Sequence, residues 1–126
     1  MAVSPVYPIE SKVLAFLAEH LPSDYTVSSE KLADVDDKQV TVRLLSINTL
    51  EGHEPGIFRP ILQIDVYGDT ISSTESETAE VASVMDVISY DTGIAYCEMI
   101  SLLNSSTQLK EPHYRMTFQI VTNDWR

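Results

Sequence analysis

Three stretches of apolar–polar alternation constrain this chain most. Val40, Val42 and Leu44 alternate with Thr41 and Arg43; Leu62, Ile64 and Val66 alternate with Gln63, Asp65 and Tyr67; Tyr114, Met116, Phe118 and Ile120 alternate with Arg115, Thr117 and Gln119. A period of two sends successive side chains to opposite faces of a strand, so each stretch has one apolar face that must be covered. Two segments of helical spacing can cover it. From Ile9, the residues Val13, Leu14, Phe16, Leu17 and Leu21 recur on one helical face, with Pro8 suited to the first turn and Pro22 ending the helix near His20. A second helix starts at the cap candidates Ser72, Ser73 and Thr74 and runs to about Ser89. Ser72-x-x-Glu75 and Thr74-x-x-Glu77 both fit a capping box, and Glu75, Glu77 and Glu80 suit the helix dipole.

Around these, residues 1–8 read as an extended arm holding Pro5 and Pro8. Tyr25–Ser28 reads as a weak strand, and the strand at Gln39 runs to Ile47. A long connection from Asn48 to Arg59 follows, then a strand from Ile61 to Tyr67. Ile94–Ile100 is a further strand, Ser101–Pro112 a polar loop, and Tyr114–Ile120 the last strand. The order α-β-β-β-α-β-β, with mostly short links, predicts one α+β domain over residues 1–126. Its sheet is mostly antiparallel, of four to five strands, with two helices packed on it. At 126 residues the chain has room for one core.

Charge bounds the function. Nineteen acids face eight bases, for a formal net charge of −11. Arg43, Arg59, Arg115 and Arg126 are dispersed, as are Lys12, Lys31, Lys38 and Lys110. Such a chain repels phosphates, which disfavours simple nucleic-acid binding. Met1-Ala2-Val3-Ser4-Pro5 lacks the basic start of a signal peptide, and no apolar run approaches a membrane span.

Local chemistry is sparse, and neither a cofactor, a metal nor catalysis is expected. His20, His53 and His113 are not spaced to share a helical face and read as surface or loop residues; a zinc site needs more nitrogen or sulfur ligands. Asp34-x-Asp36-Asp37 lacks the glycine and glutamate of a calcium loop, with Gln39 and Leu45 at those places. Cys97 lies mid-strand without a basic neighbour to activate it. Asp65 and Asp69 are a carboxylate pair of a kind that nineteen acids generate by chance.

The span Arg59-Pro60-Ile61-Leu62-Gln63-Ile64-Asp65-Val66-Tyr67-Gly68-Asp69-Thr70 before a capped helix carries a likeness. So does Pro112-His113-Tyr114-Arg115-Met116-Thr117-Phe118. With the early amphipathic helix and the Val-Thr-Val-Arg strand, the chain resembles the tail terminator proteins of long-tailed bacteriophages. The resemblance implies a non-enzymatic virion protein of the tail or neck, assembled in the host cytoplasm. It implies a homo-hexameric ring that caps the tail tube and ends its growth. The partners it implies are the tail tube protein and a head-side connector or neck protein, with DNA passing through and no membrane. Head–tail joining proteins share the same look. In that setting Glu51, His53, Glu54, Phe58, Arg59 and Trp125 are the partner-contact candidates, and Glu75, Glu77 and Glu80 are candidates to line a lumen that DNA passes without sticking. The competing reading of another class is an acidic inhibitor that mimics DNA, which needs carboxylates in a row on one exposed face.

Overall fold

The computed structural model describes residues 8–30, 38–49, 58–88, 94, 96–106 and 111–122. Its elements are α1 (Pro8–His20), β1 (Thr26–Ser28), β2 (Gln39–Thr49), β3 (Phe58–Tyr67), α2 (Ile71–Met85), β4 (Tyr96–Asn104) and β5 (His113–Val121). The strands form one sheet in the order β1-β2-β3-β5-β4. The pairs β2–β3, β3–β5 and β5–β4 are antiparallel. β1 pairs parallel to β2, so the sheet is mixed, as its long link to β2 allows.

The three alternating stretches lie side by side as the centre of the sheet. Val42 faces Ile64, and Ile64 faces Met116, so the apolar rows stay in register across three strands. Their common face, with Val40, Leu62, Val66, Phe118 and Ile120, is closed by Ile9, Val13, Phe16 and Leu17 of α1 and by Val81 and Met85 of α2. Both helices therefore lie on the same side. α1 rests on β1 and β2, and α2 on β3 and β5.

Polar contacts fix how the helices enter. β2 has a bulge between Leu44 and Ser46. Glu10, buried in the first turn of α1, accepts a hydrogen bond from the Leu44 amide at 2.6 Å. A bulge disrupts the ladder locally, and this carboxylate satisfies an amide at its edge. At the other helix the cap is Thr70, earlier than either candidate box. Thr70 is extended, its Oγ1 accepts from the Ser73 amide, and Ser73 Oγ accepts from the Thr70 amide. The helix starting at Ile71 moves Glu75, Glu77 and Glu80 past its first turn, where the dipole no longer favours them. Gly68 makes this entry possible, because a Cβ there would lie 2.3 Å from Thr74 Oγ1 and 2.5 Å from Glu77 Oε1.

Two connections are shorter than the sequence suggests. Asn48, Thr49, Phe58 and Arg59 belong to strands: Phe58 pairs with Thr49 and also bridges Thr122. β4 continues through Ser101-Leu102-Leu103-Asn104, part of the expected polar loop. Ser105 and Ser106 then bond back to the His113 backbone, which closes the β4–β5 hairpin.

Replacing Ile64→Asp sets an unpaired charge in the centre of this core. The variant should lose its cooperative thermal transition, read by far-UV circular dichroism, because burying an unpaired carboxylate outweighs the stability of a small domain. A wild-type transition would show that the register is wrong.

Candidate functional site

The outer face of the sheet carries its own polar cluster. Asp65, on the face opposite the apolar row as expected, is only 3% exposed, and His113, expected at the surface or in a loop, is 0% exposed in a strand. Register explains the meeting, since Tyr67 pairs with His113 and Asp65 with Arg115. Asp65 Oδ1 accepts from His113 Nε2 at 2.9 Å and from Arg115 Nε at 2.8 Å; Oδ2 accepts from Gln63 Nε2 at 2.8 Å. The Tyr67 ring stacks on His113 with centroids 4.5 Å apart. Burial pushes the Asp65 carboxyl up, but the bonds from His113, Arg115 and Gln63 outweigh it and hold the group below the usual carboxylate range. Asp69 is exposed and outside this network. With the acid and the imidazole both sealed from water, the cluster locks β3 to β5 and offers no substrate access.

Cys97 is half-buried against the core, and burial with the nearby Asp86 charge pushes its thiol up to about 12. Such a thiol stays protonated and unreactive. No group of three or more His, Cys, Asp or Glu side chains that could hold a metal occurs among the described residues. No helix of the described residues is long and apolar enough to cross a membrane.

What remains is surface, and β4 dominates it. Tyr96, Met99, Ile100, Leu102 and Leu103 are all about half exposed, Leu102 at 53%. Met99 pairs with Phe118 and Leu102 with Met116, so both point to the helix side, yet both stay about half exposed there. Tyr96 and Leu103, paired with Val121 and Arg115, point to the outer side. Glu98 is the one charged residue in the strand, and no lysine or proline guards it. Edge strands normally carry such guards, and a long apolar edge without them marks an interaction site. The sequence showed β4 only as a strand that stops at Ile100, so the Leu102–Leu103 part of this surface was missed. The apolar pair inside the expected loop was the available signal.

The expected contact and lumen residues separate. Phe58 is half-buried and Arg59 exposed, both at the start of β3. Glu51, His53, Glu54 and Trp125 lie outside the described residues. Glu75 and Glu80 are exposed, whereas Glu77 is 8% exposed and turned inward. Five residues apart on a helix, Glu75 and Glu80 stand about 140° apart and so occupy opposite flanks of α2. Glu75 accepts from the Tyr114 hydroxyl at 3.4 Å, toward β5. Glu80 accepts from the Tyr25 hydroxyl at 2.5 Å, toward α1 and β1. Burial, then the hydrogen bond to Glu80, pushes the Tyr25 phenol up.

No protein-family model matches the sequence. No curated protein matches it either. Among solved structures, the chain is similar to the sheath/tube terminator of an extracellular contractile injection system, PVC, in its extended state. The identity is 13% and the TM-score 0.54, with all of this chain and 60% of the other covered. The chain thus spans somewhat less than two thirds of that terminator's length. The terminator resemblance read from the sequence is borne out at the level of fold: this α+β chain shares the fold of that sheath/tube terminator.

Two substitutions separate the buried lock from the exposed strand. Asp65→Asn should cost about 2–3 kcal/mol at neutral pH, since charged hydrogen bonds from His113 and Arg115 are weakened. Because the folded carboxyl is depressed, its contribution is full above the unfolded value near 3.8 and is lost as pH falls through the lower folded value. The stability gap between wild type and variant should therefore hold down to about pH 4 and narrow below it; a gap constant across acid would contradict the network. Leu102→Ser, by contrast, should change stability by no more than about 0.5 kcal/mol in urea unfolding.

Proposed function

We propose that this chain is a terminator subunit of a phage-like tail. In this reading copies form a ring on the end of the tail tube, stop its elongation and present a surface to the head-side connector or neck. The observation that carries the reading is the fold match, over the whole chain, to a sheath/tube terminator. The bare β4 supports it, because a strand with five half-exposed apolar residues suits a subunit that is finished by its neighbours.

The partner contacts divide by position. Phe58 and Arg59 stand where β3 leaves the β2–β3 hairpin, and we assign Glu51, His53 and Glu54 between those strands, with Trp125, to contacts along the ring axis, with the tube or the neck. Glu80 and the overall −11 charge suit a lumen through which DNA moves without adhering. The ring is homo-oligomeric, six copies by the resemblance. The arrangement of acids argues against a DNA mimic: Glu77 is buried, and Glu75 and Glu80 lie on opposite flanks of α2, so they form no phosphate-like row.

Deletion of the gene from the particle that encodes this chain tests the reading. Negative-stain microscopy should show tubes of irregular length without heads, restored by the wild-type chain in trans. Tubes of normal, uniform length with heads attached would overturn it.

A further inference from the structure

Charge is segregated between the two layers of this fold. The helices α1 and α2 contain Glu10, Glu19, Glu75, Glu77 and Glu80 against Lys12 alone. The strands reverse the balance, with Arg43, Arg59 and Arg115 against Asp65 and Glu98. The three arginines share the outer side of the sheet. Arg43 pairs with Gln63 and Arg115 with Asp65, and Arg59 alternates with the buried Pro60. Arg115 is held by Asp65. Arg43 and Arg59 are exposed and have no ion pair among the described residues.

A matching acidic surface lies at the other side of the molecule. Met99 and Leu102 of β4 form an apolar shelf beside α2. Glu75, on the β5 flank of α2, and Asp86, close enough to raise the Cys97 thiol, edge that shelf. The spacings agree. Arg43 faces Gln63, four residues from Arg59 along β3, which is roughly 13 Å of strand. Glu75 and Asp86 are eleven residues apart, about 16 Å of helix axis.

We propose that the shelf of Met99, Leu102, Glu75 and Asp86 seats the arginine-bearing outer face of β2 and β3 from a second copy of this chain. The proposal rests on the ring reading above and specifies its subunit contact. The two patches lie on opposite faces of the sheet and on different strands, β2 and β3 against β4, so one molecule cannot close them on itself. Two different patches meeting head to tail make a heterologous interface, which closes into a ring when the rotation permits, whereas a self-complementary patch gives a dimer. The same contact explains how a chain of net charge −11 tolerates its own copies, since its free arginines meet its acids at the boundary. Glu75 then belongs to the subunit boundary, and Glu80, on the other flank of α2, is left for the lumen.

Complementary charge reversal tests this. One variant carries Arg43→Glu with Arg59→Glu; the other carries Glu75→Lys with Asp86→Lys. All four positions are exposed, and Glu80 is left intact because it holds Tyr25. Masses are measured by sedimentation at physiological salt, for the chain alone at high concentration and on tail tubes. Wild type should assemble and each variant alone should remain monomeric with an unchanged far-UV spectrum. An equal mixture should regain the assembly, because alternating copies pair reversed with reversed and native with native patches. Variants that assemble like wild type, or a mixture that stays monomeric, would overturn this contact while leaving the ring reading standing. A wild-type chain that stays monomeric in both settings would overturn both.

Discussion

Two helices cover four strands, and the fold follows from that limit. Neighbouring strands lie about 4.8 Å apart and packed helices about 8–10 Å, so each helix spans roughly two strand spacings. Here α1 takes β1 and β2 while α2 takes β3 and β5. The fifth strand is left at the edge, with only Cys97 packed against the core. Its other apolar residues are exposed because, among the described residues, no element is placed to cover them. The buried network around Asp65 serves the same sheet from the outer side, joining β3 to β5 where no helix helps. The exposed apolar surface of β4 and the sealed polar surface beside it are thus two consequences of one architecture.

Period-two alternation made the sheet centre legible. Val42, Ile64 and Met116 could be placed on one face from sequence, and they meet in register. Both helices and the stop at Pro22 were equally readable, because spacing and proline act locally. Nonlocal facts were hidden. Asp65 and His113 are 48 residues apart, and only the strand order brings the acid onto the imidazole. The cap at Thr70 was displaced from the expected boxes because Gly68 and the buried Glu77 fix where the chain turns into α2. The end of β4 escaped because Leu102 and Leu103 break alternation, as residues of an uncovered strand are free to do. That Glu75, Glu77 and Glu80 form no row was also invisible, since the inward turn of Glu77 depends on packing.

The functional account is built on two independent lines. One is the likeness to a sheath/tube terminator, which at 13% identity is a statement of fold. The other is internal: a bare apolar strand, acids on the helix layer and free arginines on the sheet layer. Our proposal that copies of this chain join through these patches rests on that segregation of charge. An enzyme-like reading finds no support in the Asp65–His113 pair, which is closed to solvent and already saturated with partners on the acid.

The most direct measurement of the central claim is electron cryomicroscopy of isolated tails, with the domain placed in the reconstructed density. The account predicts density for this chain at one end of the tube only, as a closed ring in which β4 of each copy meets β2 and β3 of the next. Density spread along the tube, or none at either end, would contradict it.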